Sequence, residues 1–471
     1  MKRLILLFVA MLAAGATQAA QWRTTWYAAP MPSWGAEFAL PTMMPATFDT
    51  QTVREVVRTS VGGQRIRVSY SNRYGSTPLV IGEARVAITL DDPRYAATSL
   101  QDDGSVSLTF SGQRSVTVAP GDSVTSDAAL MPVAARQRLS ISTWFPARTP
   151  VTTFHWGAQQ TAFALSGNHV AASSLPGAQE LAGRTFLNAV QVDGPERRTV
   201  VVLGDSITDG NGSTPDRNSR WPDQLAERLK EVAIVNAGIS GARLLKDGMG
   251  ENAMARFERD VLSQPGVDSV IVLLGINDIG WPGSAFAPSE PPATTQAMIA
   301  GYRKLIAAAR ARQVRIVGGT LLPFEGALQG TPYSGHYSPV KDEVRRDVNE
   351  WIRNSGEFDA VIDFDRQLRD PRHPTRLHPD FDSGDHLHPG DAGYAEMARA
   401  AALIAKQARH AFGQAEAGHA AGVAGKDGGG GGVGGELPVK AQHGGTGPAC
   451  AEGDEHAQLV GFALLDCRQF R

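Results

Sequence analysis

The chain has 471 residues, which is too long for one ordinary hydrophobic core and predicts two domains. Hydrophobic residues make up 42% of it and charged residues 20%, as in soluble globular proteins. The 45 Lys and Arg nearly balance the 48 Asp and Glu, for a formal net charge of -3. This balance excludes the basic footprint of a nucleic-acid-binding protein and gives no sign of an anionic membrane surface as partner.

Residues 1–20 have the pattern of a secretory signal peptide. Met1-Lys2-Arg3 precede an apolar run over 4–14, and small residues follow up to Ala20. The apolar run is shorter than the roughly 20 residues that a spanning helix needs. No cysteine follows it to accept a lipid. We therefore predict cleavage near Ala19 or Ala20, no membrane span afterwards, and a periplasmic or extracellular protein.

The end of the chain differs in composition from the rest. It holds both cysteines, Cys450 and Cys467, so the body of the protein has neither a disulfide nor a cysteine nucleophile. An uninterrupted glycine run covers Gly428 to Gly432, and large apolar residues are almost missing around it. Such a stretch cannot offset its ordering entropy by burial, so we predict a Gly-rich disordered tail over 413–471.

Short β-rich runs separated by turn residues fill 21–195, with no convincing helix. Arg54–Ser60 and Arg65–Tyr70 flank Gly62-Gly63, which predicts a hairpin with one wet face. Regular turn signals of this kind are typical of an all-β sandwich, here jelly-roll-like. The other β-rich runs are Leu79–Ile88, Ser105–Phe110, Ser115–Val118 and Arg138–Phe145.

Aromatic residues of the same stretch allow two interpretations. They suit a sugar-binding platform, although such residues more often pack inside a core or between domains. The residues are Trp22, Trp26, Tyr27, Trp34, Tyr70, Tyr74, His155 and Trp156.

Strands alternate with helices over 196–412. The predicted strands are Thr199–Leu203, Ala233–Asn236, Val270–Leu274, Arg315–Thr320 and Phe358–Phe364. The predicted helices are Trp221–Leu229, Ala253–Leu262, Thr295–Gln313, Val340–Asn354 and Gly390–Ala411. Parallel neighbours need crossover helices and both sheet faces need cover. We therefore predict a three-layer α/β domain with a five-stranded parallel sheet.

Polar segments come directly after three of these strands and before the last helix. They are Gly204-Asp205-Ser206, 236–241, 275–278 and 385–389. Open α/β sheets carry their active sites at the carboxyl ends of strands. Each segment alone also suits a turn or a helix cap. Their joint occurrence in chain order favours one site.

The residue types in these segments suit ester hydrolysis, which needs a nucleophile, a base, a group that orients the base, and donors for an oxyanion. Ser206 offers the hydroxyl and His388 the imidazole. Asp385 lies three residues before His388, where its carboxylate can hold the other ring nitrogen. The backbone N–H groups of Ser206 and Gly241 and the amide of Asn277 can converge on the oxyanion, since glycine lets the backbone approach closely.

These motifs resemble those of the SGNH (GDSL-type) serine hydrolases, over about residues 198–411. The most specific are Gly-Asp-Ser-Ile-Thr-Asp-Gly from Gly204 and Asp-x-x-His-Pro from Asp385. The resemblance implies that Ser206 is the nucleophile and that Asp385 and His388 complete a triad. It implies that Gly241 and Asn277 complete the oxyanion hole with the Ser206 amide. A flavodoxin-like sheet and no cofactor are also implied.

Two further segments resemble a subgroup of that family. Thr320–Phe324 is similar to the corresponding segment of carbohydrate esterases and arylesterases, and 71–82 is similar to the β-domain fused to many exported members. With export, this favours O-acyl groups on a polysaccharide as substrate, with a lipid or aryl ester as the alternative. Trp281, Phe286 and Phe324 follow strand ends and are candidates either for the walls of the site or for packing between the domains.

Two other interpretations of the sequence stay open. The histidines and aspartates at His373, His378, Asp382 and His386, with the proposed triad pair, have spacings that also suit a metal cluster, although His386 equally suits the rim of the site. The second reading is a non-catalytic carbohydrate-binding protein in which the β-domain carries the function. Oligomeric state is not indicated by the sequence.

Overall fold

The computed structural model describes residues 21–90, 99–100, 104–194 and 198–404. The predicted signal peptide at 1–20, the predicted tail at 413–471 and the two cysteines lie outside the described residues. Among the helices that are described, none combines the length and the apolar character needed to cross a membrane.

The described residues between 21 and 194 form an all-β region, called the β region below. Its strands are β1 (Gln21–Tyr27), β2 (Met31–Pro32), β3 (Thr47–Phe48), β4 (Gln51–Arg58), β5 (Gly63–Ser71), β6 (Leu79–Ile81), β7 (Glu83–Ile88), β8 (Val106–Ser107), β9 (Val116–Val118), β10 (Ser123–Thr125), β11 (Ala129–Val133), β12 (Arg138–Phe145), β13 (Thr149–Pro150), β14 (Thr153–His155), β15 (Ala162–Ser166), β16 (Gln179–Leu181), β17 (Arg184–Thr185) and β18 (Leu187–Gly194).

Two larger antiparallel sheets dominate this region. One has the order β1-β18-β5-β10, with β11 also on β5, and the other has the order β16-β15-β4-β12-β7-β8. The sheets contact each other through the buried hydroxyls of Tyr70 on β5 and Thr143 on β12, 2.8 Å apart. The jelly-roll connectivity stays a prediction.

The predicted hairpin around Gly62-Gly63 is wrong. β4 pairs with β12 and β15, whereas β5 pairs with β18, β10 and β11, so the two strands belong to different sheets. Neither glycine has the positive φ that a two-residue hairpin turn requires. A Cβ on Gly62 would lie 2.3 Å from the backbone oxygen of Val133, so the glycines permit close backbone packing where the chain crosses between sheets.

The second half of the chain is built on a parallel sheet. Its strands are β19 (Thr199–Gly204), β20 (Ala233–Gly238), β21 (Val267–Leu273), β22 (Arg315–Gly319) and β23 (Ala360–Ile362). Their order is β20-β19-β21-β22-β23, the flavodoxin-like order, and every pair is parallel. All six residues of β19 are buried, as its unbroken apolar sequence predicts. The predicted five-stranded parallel sheet is therefore confirmed, while the three-layer arrangement stays a prediction.

Helices connect these strands. They are α1 (Ser206–Asp209), α2 (Trp221–Arg228), α3 (Ala253–Phe257), α4 (Ile276–Gly280), α5 (Thr295–Ala311), α6 (Pro339–Asn354), α7 (Phe364–Leu368) and α8 (391–404). A π-helix, Glu258–Leu262, continues α3, and a 3-10 turn covers Ser334–His336. The short helices α1, α4 and α7 were not predicted, because one turn of helix carries no readable amphipathic period.

The β region packs against the parallel sheet through buried polar contacts. The Tyr27 hydroxyl donates to Asp260 at 2.8 Å, and the backbone N–H of Ile234 on the edge strand β20 donates to Ser60 at 3.2 Å. Burial and the Asp260 carboxylate raise the pKa of Tyr27 well above its ordinary value, so the hydroxyl keeps its proton and donates.

The aromatic residues predicted as a sugar-binding platform do not share one environment in the structure. Trp26, Tyr27, Tyr70 and His155 are buried and belong to the core or to the contact between the two regions. Among the rest, Trp34 and Trp156 are half-buried neighbours whose ring centroids lie 6.5 Å apart.

Candidate active site

The register of the parallel sheet brings three polar segments to one edge. Gly204 at the end of β19 lies opposite Gly238 on β20 and Leu273 on β21. The segments that contain Ser206, Gly241 and Asn277 leave these neighbouring strand ends. The sheet therefore gathers them at its carboxyl edge, the usual place for a site in this kind of fold.

Ser206 is the first residue of α1 and is 6% exposed. The Asp205 side chain caps this helix and accepts a hydrogen bond from the Ile207 N–H at 3.1 Å. The helix sits tightly on the strand ends because they finish in glycines. A Cβ on Gly238 would lie 2.4 Å from the backbone nitrogen of Asp209.

Three side chains form a hydrogen-bonded row at this edge. The Ser206 hydroxyl lies 2.8 Å from Nε2 of His388, and Nδ1 of His388 lies 2.6 Å from Oδ2 of Asp385. The other oxygen of Asp385 accepts from the backbone N–H groups of Leu387 at 2.9 Å and His388 at 2.8 Å. The loop before α8 thus orients the carboxylate by its own backbone.

Burial and charge act in opposite directions on this pair. Burial disfavours the charged imidazolium, but the Asp385 carboxylate and its hydrogen bond outweigh this and raise the pKa of His388. Burial also disfavours the carboxylate, but His388 and the backbone donors hold the pKa of Asp385 well below its usual range. Asp385 therefore stays ionised, and His388 can accept a proton that its neighbour stabilises.

Three candidate hydrogen-bond donors belong to the segments that the sheet gathers at this edge. The Ser206 N–H belongs to the first turn of a helix and has no acceptor within that helix. Gly241 has a φ of 69°, and a Cβ there would lie 2.5 Å from Sδ of Met249, so only glycine fits. The Asn277 amide donates to the backbone oxygen of Ala242 at 3.0 Å, which fixes its orientation and leaves its second N–H for another acceptor.

Two buried charged residues that sequence reasoning did not place hold these segments together. Asp278 accepts from the backbone N–H groups of Leu244 at 2.6 Å and Leu245 at 2.9 Å. Arg256 is fully buried and donates to the backbone oxygens of Ala237 at 2.7 Å and Gly204 at 3.1 Å. Asp278 belongs to the polar segment 275–278, so the sequence contained a signal for it. Arg256 lies inside a predicted helix, and no local pattern distinguishes it from other helix residues.

The alternative metal cluster does not form among the residues that the structure describes. In that part of the chain no three His, Cys, Asp or Glu side chains are grouped to hold a metal ion. His386 pairs with Asp382, with Nδ1 and Oδ2 2.5 Å apart, and His388 pairs separately with Asp385. His386 is half exposed.

The aromatic residues predicted as walls have different surroundings. Trp281 packs beside Gly241, where an added Cβ would lie 3.0 Å from its ring. Phe286 stacks on Trp281 with ring centroids 4.9 Å apart, and Phe38 from the β region lies 6.2 Å from both rings. Phe324 is fully buried and packs edge-on against Tyr337. An apolar wall shared by the two regions thus stands beside one of the donors.

Comparison with protein-family profiles matches residues 202–396 to the GDSL-like lipase/acylhydrolase family. Residues 202–396 form a GDSL-like lipase/acylhydrolase domain. The match spans the strand end at Gly204, both neighbouring strands and the loop with Asp385 and His388. The chain therefore carries a carboxylic ester hydrolase domain, and the family it matches acts on small-molecule esters. A search of curated proteins finds no match to the chain.

Several solved structures resemble the same part of the chain. The lipase/acylhydrolase from Enterococcus faecalis is 19% identical over 44% of this chain and 94% of its own, with a TM-score of 0.33. A carbohydrate acetylesterase family member from Sinorhizobium meliloti is 14% identical over 45% and 98%, with a TM-score of 0.36. The psychrotrophic esterase EstA from Pseudoalteromonas sp. is 17% identical over 45% and 99%, with a TM-score of 0.33. Likenesses of this size do not bear on the substrate.

Proposed function

We propose that this protein is an exported serine esterase that hydrolyses carboxylic esters through an acyl-enzyme on Ser206. The observation that carries the proposal is the row Ser206-His388-Asp385, in which both hydrogen bonds are between 2.6 and 2.8 Å. Such a row supplies a nucleophile, a base and a group that orients the base.

The geometry supports a two-step reaction. In the first step the Ser206 hydroxyl oxygen attacks the ester carbonyl carbon while its proton passes to Nε2 of His388. The oxyanion that forms accepts hydrogen bonds from the backbone N–H groups of Ser206 and Gly241 and from the Asn277 amide. The intermediate collapses, and the alcohol leaves with the proton from His388, so that the acyl group remains on Ser206.

Water then releases the acyl group by the same chemistry. His388 takes a proton from the water as its oxygen attacks the acyl carbon, and returns that proton to Ser206 as the serine leaves. The carboxylic acid is released and the enzyme is restored. Asp385 keeps the Nδ1 hydrogen in place throughout and does not itself become protonated, in line with its depressed pKa.

The experiment that tests the proposal compares Ser206→Ala with Ser213→Ala. Ser213 is a buried serine in the loop that follows α1, and its hydroxyl donates to the backbone oxygen of Gly210 at 2.7 Å, so it is a matched control outside the row. We expect Ser206→Ala to lose hydrolysis of short acyl esters and labelling by a fluorophosphonate, and Ser213→Ala to keep both. Labelling that survives in Ser206→Ala excludes Ser206 as the nucleophile.

For the substrate we propose O-acyl groups, chiefly acetyl, on a carbohydrate, with lipid or aryl esters as the second candidate. The support is the predicted signal peptide and the β region, which together suit action on a polysaccharide outside the cytoplasm. The aromatic wall of Trp281, Phe286 and Phe38 supports aryl esters as the second candidate, since aromatic rings can pack against an aryl group. Hydrolysis rates on acetylated xylan, aryl acetates and long-chain esters separate the candidates, and a strong preference for long chains contradicts the carbohydrate proposal.

A further inference from the structure

A side chain of the β region reaches the turn that carries the candidate nucleophile. His155, the last residue of β14, is 5% exposed. Its Nδ1 lies 2.9 Å from the backbone oxygen of Ala29, and its Nε2 lies 2.9 Å from Oδ1 of Asp209. Asp209 is the last residue of α1 and is 1% exposed. The contact is therefore a buried link between the two regions.

The hydrogen-bonding capacity of these atoms restricts the orientation of the His155 ring. A backbone carbonyl and a carboxylate oxygen are both acceptors, so the ring satisfies both neighbours only if a hydrogen lies on each side of it. Whether the ring or Asp209 holds the hydrogen between them, Oδ1 of Asp209 is tied to His155. The ring cannot turn without breaking its contact to Ala29.

The other oxygen of Asp209 holds the loop that presents Gly241. Oδ2 accepts from the backbone N–H of Ser240 at 3.0 Å and from the Ser240 hydroxyl at 2.7 Å. Ser240 directly precedes Gly241, so these bonds set the direction of the peptide that leads into the Gly241 amide. The same carboxylate thus joins the β region on one side to an oxyanion donor on the other.

A second contact from the β region supports the same loop. Gly157 has a φ of 76°, and a Cβ there would lie 2.5 Å from the Ser240 hydroxyl oxygen. The Gln159 side chain donates to Oδ1 of Asn211 at 3.2 Å, and that oxygen also lies 3.2 Å from the Ser240 hydroxyl. The segment after β14 therefore packs directly against the residues that make the Asp209-Ser240 contact.

We propose that His155 is a positioning residue for ester hydrolysis. Acting through Asp209 and Ser240, it fixes the Gly241 amide where the oxyanion forms, which makes the β region part of the catalytic unit. The inference rests on the proposed function, since it assigns His155 a part in that reaction. It predicts an effect on the transition state that a bond serving only to join the two regions does not produce.

The structure offers a matched control for such a joining bond. The Thr24 hydroxyl on β1 donates to Oε1 of Gln264 at 2.8 Å, and both residues are buried. This bond also links the β region to the parallel-sheet region, but Gln264 makes no contact with Asp209 or Ser240 among the hydrogen bonds of the described residues. Thr24→Val removes it with little change in side-chain volume.

The experiment measures kcat and KM for 4-nitrophenyl acetate, the rate of fluorophosphonate inactivation, and Tm, in the full chain. We expect His155→Phe to lower kcat and the inactivation rate roughly tenfold to a hundredfold, less than the 10²–10³ for deleting an oxyanion donor. KM changes little because the ground state is bound as before. His155→Gln recovers part of the loss, because its amide can donate to Asp209. Thr24→Val keeps kcat within about twofold even if its Tm falls.

A double-mutant comparison tests the route. If His155 acts through Ser240, then His155→Phe combined with Ser240→Ala costs clearly less than the product of the two single effects. Multiplicative effects, or a kcat for His155→Phe equal to that of Thr24→Val, overturn the inference. These outcomes differ from failure of the proposed function, in which Ser206→Ala itself keeps activity and labelling.

Discussion

Two histidines that are two residues apart in the sequence each pair with an aspartate, but burial gives the two pairs different electrostatic properties. His386 with Asp382 and His388 with Asp385 are both close contacts. The side chain of His386 is 50% exposed, whereas that of His388 is 3% exposed. Water screens the first pair, while the second acts in a poorly screened interior where its charges interact more strongly. Only the second pair points to the serine.

The raised pKa of His388 fixes the sign of the pH dependence. The base must be neutral to accept the serine proton, so kcat/KM should rise with pH and level off above the pKa of His388. We expect a midpoint above 6.5, because the Asp385 carboxylate outweighs the effect of burial. Asp385→Asn should lower the midpoint and reduce the plateau on the order of 10⁴-fold, as this substitution does in such triads.

Asp380→Asn is the control for that pH profile. Asp380 lies in the same loop but its side chain is 83% exposed, so its charge is screened. Its profile should match that of the unchanged protein. A midpoint that does not move in Asp385→Asn would show that another group sets the profile.

At the scale of elements, the candidate nucleophile depends on how closely α1 packs on β19 and β20. Gly204 and Gly238 are paired residues at the ends of these strands. A Cβ on Gly204 would lie 2.1 Å from the Thr208 side chain, and one on Gly238 would meet the backbone of Asp209. The absence of two side chains therefore sets the height of the one-turn helix above the sheet.

Gly238→Ala should displace α1, because the nearest atoms to the new methyl group belong to the backbone and cannot rotate away. We expect a loss of about 1–3 kcal/mol in the free energy of unfolding, the usual range for overpacking. A fall in kcat should accompany it as Ser206 moves relative to His388. Chemical denaturation and steady-state kinetics measure the two effects.

Gly194→Ala provides the comparison for that variant. It adds the same methyl group at the end of β18, where the nearest atom would be 3.7 Å away. Its stability should stay within about 0.5 kcal/mol of the unchanged protein. Equal losses in the two variants would mean that steric contact with α1 is not the cause.

At the scale of the molecule, buried polar groups join the two regions more closely than a linker would. The network of Tyr27, Asp260 and Arg256 runs from β1 to the backbone oxygen of Gly204 below the candidate site. Asp260 and Arg256 are fully buried, so separating the regions would expose an ion pair and leave Tyr27 without its acceptor. The hydrogen bond from Tyr27 to this charged acceptor would be lost on separation.

We therefore expect the two regions to unfold together. Differential scanning calorimetry of the full chain should give one cooperative transition, and Tyr27→Phe should lower its Tm without dividing it. The hydrogen bond removed is one to a charged group, worth about 1.5–3 kcal/mol. Two separate transitions in the unchanged protein would contradict this expectation.

The sequence by itself determined the alternation of strands and helices, the parallel sheet, and the residue types at the strand ends. These features are local: apolar periodicity marks a strand or helix, and glycine and aspartate mark turns and caps. The candidate roles of Ser206, Gly241, Asn277, Asp385 and His388 follow from the chemistry of these residue types and from the family resemblance, and the fold brings their segments to one sheet edge.

Only the tertiary structure decided which distant residues meet. β4 and β5 are neighbours along the chain, yet they lie in different sheets, because burial of β4 between two other strands outweighs a short Gly-Gly connection. His155 contacts Asp209 across 54 positions, and Arg256 reaches Gly204 across 52. Such contacts depend on sheet register and on the packing of one region against the other, which leave no periodic signal in the chain. The link from the β region to the candidate nucleophile's turn is therefore a property of the folded molecule.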